Sequence, residues 1–307
     1  MLQGILPVIP SLFDADNRIA TNSIRRVVRF ALDSGAHGIV FPGVASEYNF
    51  LSTAEREELI AAVADEVDGK VPILGGASAS TAEEVVNAIA QVQKHGIRHV
   101  MIMAPQQLGQ DTEAHLKFFE SVVQNTSDVA VVLQNAPSPI GAGLSTAALS
   151  KIVAAVPAIT YVKEETLPSG PTITDLVQNR VGHLKGVLGG GGARYLVDEL
   201  NRGAIGALPA VELTDLHVQL FNSYRAGRHQ YARDLYRASL PLLACQMVYR
   251  MRLTKYVLMR RGITSELHVR APLPELDDFA KRDVDTMLQD LARTVDLQLP
   301  QNDRDCR

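Results

Sequence analysis

One lysine stands out for its setting. Residues 158–162, Ala-Ile-Thr-Tyr-Val, form a short apolar run that ends on Lys163, and Glu164 and Glu165 follow. Lysine is rarely buried without a partner. Burial lowers a lysine's pKa, and a neutral amine can attack a carbonyl to form a Schiff base. The plain alternative is a surface lysine that opens a loop and pairs with Glu164 or Glu165.

Other apolar runs also end on residues able to do chemistry. Gly43-Val-Ala-Ser-Glu-Tyr48 follows one of them. Its small residues let backbone N–H groups approach an anion such as a carboxylate. An ordinary tight turn between strand and helix would read the same. Gln134-Asn-Ala-Pro137 follows another run, with Gly141 just beyond. Gly189 and Gly190 open a run of four glycines, and Gly206-Ala-Leu-Pro-Ala210 comes last. The glycines suit close approach of a substrate, but no Lys or Ser/Thr follows as in a phosphate-binding P-loop. The histidines at 37, 95, 99, 115, 183, 217, 229 and 268 form no HxH or HExxH pair. No metal site and no cofactor are therefore expected. No GxSxG elbow supports serine hydrolase chemistry.

The elements that must position these residues follow a rhythm. Apolar runs lie at 4–9, 38–41, 71–74, 99–103, 129–133, 159–162, 184–188 and 205–208. They are short, rich in β-branched residues and hardly alternating, as strands buried on both faces are. The segments between them look helical. Residues 21–34 carry Ile24, Val27, Val28 and Ala31 at helical spacing. Ser52-Thr-Ala-Glu55 and Thr81-Ala-Glu-Glu84 read as capping boxes. Strand starts recur every ~20 to 35 residues, the size of one βα unit. Eight such units in about 225 residues predict an α/β fold of the (β/α)₈ TIM-barrel type. A doubly wound open sheet is disfavoured, because its Gly-rich first turn is missing. Residues 226–307 change character: 230–261 read as strongly helical and 277–297 as a further helix candidate. The expected organisation is a barrel over 1–225 and a C-terminal helical extension over 226–307, with 301–307 a polar, frayed tail.

Composition excludes several classes. Hydrophobic residues make up 46% and charged residues 21% of the 307, ordinary values that rule out a disordered chain. Thirty basic against 34 acidic residues leave a net charge of −4, which argues against nucleic acid as a partner. No apolar stretch reaches the ~18 residues of a membrane span, and residues 1–18 lack the basic start of a secretory signal. Cys245 and Cys306 imply no disulfide framework. A soluble, cytoplasmic protein is expected.

Together the strand ends resemble the pyruvate-dependent class I lyases that include dihydrodipicolinate synthase and N-acetylneuraminate lyase. The shared features are Gly4 to Pro10, Gly43-x-x-x-Glu47, Asn135-x-Pro137 with Gly141, Lys163-Glu164 and the glycines from 189 to 192. The resemblance implies that Lys163 is the Schiff-base lysine and that the barrels assemble as a homotetramer, a dimer of dimers. There are departures. Val44 and Ala45 stand where those lyases carry hydroxyl residues, Gln134 and Gln107 where the synthase has relay tyrosines, and Pro139 where it has an arginine. Gln does not exchange a proton at neutral pH, so the synthase reaction is disfavoured. Ser46-Glu47, Gln134-Asn-Ala-Pro137, Lys163-Glu-Glu-Thr166 and residues 253–262 look closer to the L-2-keto-3-deoxyarabonate dehydratase branch, with Asn135 replacing its Asp.

That resemblance implies a small-molecule 2-oxo acid substrate, most simply a 2-keto-3-deoxy sugar acid that is dehydrated or cleaved. Lys163 would attack C2, and backbone N–H groups near Ala45 and Ser46 would hold the substrate carboxylate. Glu47, Tyr48, Glu165 or a water would move protons, while Gln134 and Asn135 orient hydroxyls. Gly189, Gly190 and Gly206 would line the substrate. Glu47 could equally make a loop-to-helix contact. Pyruvate–aldehyde condensation and a non-catalytic 2-oxo-acid-binding barrel are the alternatives.

Overall fold

The computed structural model describes residues 1–295 and 297. The expectations for 301–307 and Cys306 fall outside the described residues. The strands are β1 (Gly4–Ile5), β2 (Ile39–Val40), β3 (Ile73–Gly76), β4 (His99–Met103), β5 (Ala130–Asn135), β6 (Ile159–Glu164), β7 (Gly186–Gly189) and β8 (Gly206–Ala207). Each falls on one of the expected apolar runs. The sheet order is β1-β8-β7-β6-β5-β4-β3-β2, so β2 to β8 follow one another in sequence and β1 lies beside β8. With a helix after each strand, this is a (β/α)₈ barrel fold that carries C-terminal helices. Among the described residues no helix is long and apolar enough to cross a membrane.

The described chain divides into two compact units. The first comprises Met1–Gln3, Pro72–Gly191 and Tyr195–Leu208. It holds β3 to β8 with the helices α3 (Ala82–Gln93), α4 (Thr112–Gln124), α5 (Thr146–Ala155), α6 (Ser169–Gln178) and α7 (Leu196–Asn201). Its strands pair in parallel, with Gln134 beside Lys163 and Asn135 beside Glu164. Lys163 in turn pairs with Leu188, and Glu164 with Gly189. β5 and β6 thus continue two residues past their apolar runs. The polar residues expected in loops sit on the strands instead, fixed by ladder hydrogen bonds. Successive residues of a strand face opposite ways, so Gln134 and Lys163 share one face while Asn135 and Glu164 share the other.

The second unit comprises Gly4–Val71, Gly192–Arg194 and the described residues from Pro209 on. Here Val8 bridges Val40 and Ala210, both in parallel. α1 (Thr21–Asp33) buries the expected stripe of Ile24, Val27, Val28 and Ala31. α2 (Thr53–Val67) packs beside it. The C-terminal helices are α8 (Thr214–Arg225), α9 (His229–Tyr249), α10 (Met251–Arg260) and α11 (Asp278–Thr294). The segment 230–261 is helical as expected, in two helices. Arg250, at φ 48 and ψ −122, breaks the helical backbone between them.

Both expected capping boxes form. The Ser52 hydroxyl accepts from the Glu55 N–H at 3.2 Å, and the Glu55 carboxylate accepts from the Ser52 N–H at 2.8 Å. Replacing Ser52 by Ala leaves one of these N–H groups without its cap. It is expected to cost about 1 kcal/mol, read as a lower urea midpoint with an unchanged m-value.

Candidate active site

The first unit gathers Lys163, Glu165, Gln134 and the glycine loop into one cluster. Lys163 is 5% exposed. Its Nζ lies 2.8 Å from Glu165 Oε1. The same oxygen accepts from Gln134 Nε2 at 2.5 Å, and Glu165 Oε2 accepts from the Gly191 N–H at 3.1 Å. Burial by itself would push the Glu165 carboxyl up. The Lys163 charge and the hydrogen bonds from Lys163, Gly191 and Gln134 outweigh it and hold the group below the ordinary glutamate value. Glu165 is therefore an ionised base at neutral pH, aimed at the lysine. Tyr161, two residues before Lys163, is fully buried, and its hydroxyl accepts from the Leu2 N–H at 3.1 Å.

On the opposite face of the same strands, Asn135 and Glu164 form a separate buried pair. Asn135 Nδ2 donates to Glu164 Oε2 at 2.9 Å and to the Leu144 carbonyl at 3.0 Å. Its Oδ1 accepts from the Leu144 N–H at 2.8 Å. The amide expected to orient a substrate hydroxyl is thus engaged in holding the loop after β5. The other Glu164 oxygen accepts from the Thr166 N–H at 2.7 Å and from the Thr166 hydroxyl. Burial pushes Glu164 up to about 7 against these hydrogen bonds, and the Glu165 charge adds to the rise.

The glycines have a steric reason. A Cβ on Gly189 would overlap Glu199 Oε2, and a Cβ on Gly190 would overlap Glu165 Cγ. Two carboxyl side chains therefore press on the backbone here. Gly206 opens β8 and is buried.

In the second unit, Ser46 and Glu47 are built into the loop after β2. The Ser46 hydroxyl donates to the Ile9 carbonyl at 2.5 Å and accepts from the Gly43 N–H at 2.9 Å. The Ser46 N–H donates to the Gly43 carbonyl at 2.9 Å. Any anion contact in this loop therefore falls to amides other than that of Ser46. Glu47 adopts the left-handed conformation, φ 55 and ψ 35, which costs a non-glycine residue on the order of 1 kcal/mol. Its carboxylate accepts from Lys255 Nζ at 2.7 Å and from the Arg270 and Ala271 N–H groups at 2.8 Å each. Both side chains of the Lys255–Glu47 pair have zero exposure. Burial pushes the Lys255 ammonium down to about 8, with Glu47 pulling it back up. Tyr48 is half-buried, and burial pushes its phenol up.

Sequence reasoning missed Glu199, Lys255 and Arg270, and it read Glu164 only as a partner of Lys163 and as part of the Lys163-Glu164 motif. Glu199 carried a readable signal: with Leu196 and Leu200 it lies on the apolar face of α7. Lys255 carried none, since its partner is 208 residues away. Among the described residues no group of three or more His, Cys, Asp or Glu is placed to hold a metal ion.

A parallel barrel with a buried lysine beside a carboxylate at the end of its sixth strand defines a class of protein. Comparison with known sequences is specific. A profile for the "Dihydrodipicolinate synthetase family" matches residues 1–291, and the chain belongs to that family of lyases. It is 28% identical to an L-2-keto-3-deoxyarabonate dehydratase of Azospirillum brasilense over 278 residues, 89% of each chain. It is 27% identical to a 4-hydroxy-tetrahydrodipicolinate synthase of Methanopyrus kandleri over 252 residues, covering 78% of this chain and 80% of the relative. The crystal structure of dihydrodipicolinate synthase from Rhodopseudomonas palustris superposes with a TM-score of 0.87 at 26% identity, over 94% of this chain and 97% of that one.

Two outcomes follow from the buried charges. Lys255→Met leaves Glu47 charged and without its cation. It is expected to lower stability by about 3–5 kcal/mol, measured by denaturant unfolding. Glu164 holds its proton to about 7 in the folded chain against 4.5 ordinarily. Folding is therefore favoured at low pH, and that contribution is lost as pH rises through about 7. In Glu164→Gln the fall in stability between pH 5 and 8 is expected to be shallower.

Proposed function

We propose that the chain is a lysine Schiff-base lyase acting on a 2-oxo acid, most simply a 2-keto-3-deoxy sugar acid dehydratase or aldolase. The observation that carries this reading is the buried Lys163 Nζ held 2.8 Å from Glu165 Oε1. A lysine whose neighbouring carboxylate can take its proton has the nucleophile and the base that imine formation requires. Likeness to the arabonate dehydratase supports the substrate class.

Lys163 Nζ bonds to C2 of the substrate, and the keto oxygen leaves as water. The protonated imine is an electron sink. In dehydration Glu165 receives the C3 proton, and the resulting enamine expels the C4 hydroxyl, which leaves as water on taking a proton. In cleavage the C4 hydroxyl proton goes to the base and the C3–C4 bond breaks. An aldehyde departs, and the pyruvate enamine is protonated at C3. Water then returns the product ketone and free Lys163. Gln134 orients Glu165 by its 2.5 Å hydrogen bond and moves no proton itself. Asn135 and Glu47 serve the scaffold: Asn135 holds the loop after β5, and the Glu47 side chain is fully enclosed with Lys255. The synthase reading is disfavoured because amides stand at both relay positions. The Gln107 amide donates to the Ser80 carbonyl. By the same resemblance the chain assembles as a homotetramer.

Borohydride with pyruvate tests the reading. Native protein is expected to gain one reduced pyruvate by intact mass, and Lys163→Ala none. Glu165→Gln is expected to slow trapping by about 10²–10⁴-fold. A native protein that gains nothing is a non-catalytic barrel. Release of pyruvate together with an aldehyde from a 2-keto-3-deoxy acid contradicts the dehydratase version.

A further inference from the structure

Glu199 has no part in the proposed chemistry, yet it lies at the back of the same cluster. It is 1% exposed on α7. Its Oε1 accepts from the Ser169 hydroxyl, at the start of α6, at 3.0 Å. Its Oε2 is buried with no hydrogen-bond partner. That oxygen rests on the Gly189 backbone, where a Cβ would overlap it. Gly189 is the ladder partner of Glu164, and the next residue, Gly190, makes room for Glu165. Three carboxyl groups thus crowd one strand end that holds a single lysine.

The charges cannot all be present. An ionised carboxylate needs its oxygens solvated or paired, and a dry, unpaired one is costly. Glu165 has the lysine, an amide N–H and the Gln134 amide; Glu199 has one hydroxyl. The groups facing Glu199 are Glu164 at the end of β6, Glu165 just after it, Ser169 from α6 and backbone from β7. On its own helix Asp198 is paired with Arg202 at 2.8 Å. Burial pushes Glu199 up to about 7. The Ser169 hydroxyl opposes the rise, and Glu165, Glu164 and Asp198 add to it.

We propose that Glu199 is a positioning residue for the Lys163 site, a buried carboxylic acid that keeps a proton and so leaves Glu165 as the one anion opposite the lysine. This rests on the Schiff-base reading. Ionising Glu199 places a second charge beside Glu165 and raises that group's affinity for a proton. The balance of protons between Glu165 and Lys163 shifts accordingly.

Infrared difference spectra of native protein minus Glu199→Gln test the proton directly and need no substrate. The expected result is a protonated-carboxyl band at pH 5.5 that gives way to carboxylate bands by pH 8.5. Carboxylate bands at every pH overturn the proposal. The ratio of native to Glu199→Gln rates in pyruvate trapping is expected to change by about threefold or more over the same range. A ratio independent of pH marks a merely structural residue and also overturns it. A native protein that traps no pyruvate defeats the Schiff-base reading, while the infrared titration still decides the proton. If Glu199→Gln does not fold, native protein minus Ser169→Ala replaces it. Loss of the donor is expected to move the titration to higher pH, and an unmoved titration overturns the proposal.

Discussion

The Lys163–Glu165 ion pair is the interaction around which the first unit's strand ends are arranged. Taking two charges out of water costs several kcal/mol per ion unless geometry and further hydrogen bonds offset it. Here the offsets are identifiable. Gln134 and the Gly191 N–H fill the remaining positions on the carboxylate. The ladder puts Gln134 beside Lys163, so its amide arrives without a search. The glycines after β7 give the carboxylate room. A chain that meets this cost at a strand end keeps a charged amine where apolar packing would be more stable.

The second unit has its own buried pair, Glu47–Lys255, with a different character. Both side chains are fully enclosed, and Lys255 Nζ also donates to the His268 carbonyl at 2.6 Å. The Arg270 guanidinium binds the Glu55 carboxylate at 2.7 Å and stacks 3.9 Å from the Phe13 ring centroid. This network ties the loop after β2 to the residues around 270 and holds Glu47 in its left-handed backbone. The Glu47 and Lys255 side chains are sealed from solvent, whereas those of Lys163 and Glu165 are 6% and 17% exposed.

Much of the fold was legible because parallel strands buried on both faces read as uninterrupted apolar runs. β4 lies on residues 99–103 as expected, and the caps at Ser52 and Thr81 were plain from their spacing. Lys163 was visible because it ends such a run. What the sequence hid was long-range. The break at Arg250 carries no Gly or Pro to announce it. Lys255 has its meaning only through Glu47, far away in the chain. The glycines from 189 onward suggested a substrate cradle, whereas the first two are required by the bulk of Glu199 and Glu165. Asn135 and Ser46 looked available for a ligand because their sequence positions do not show that the backbone already occupies them.

The central claim is that Lys163 is the nucleophile. The most direct measurement is a crystal structure after soaking with pyruvate. Continuous density from Lys163 Nζ to C2 of the acid, with Glu165 beside it, is the result predicted. Unmodified Lys163 in a site that holds the acid without a bond, or density on a different lysine, would contradict it.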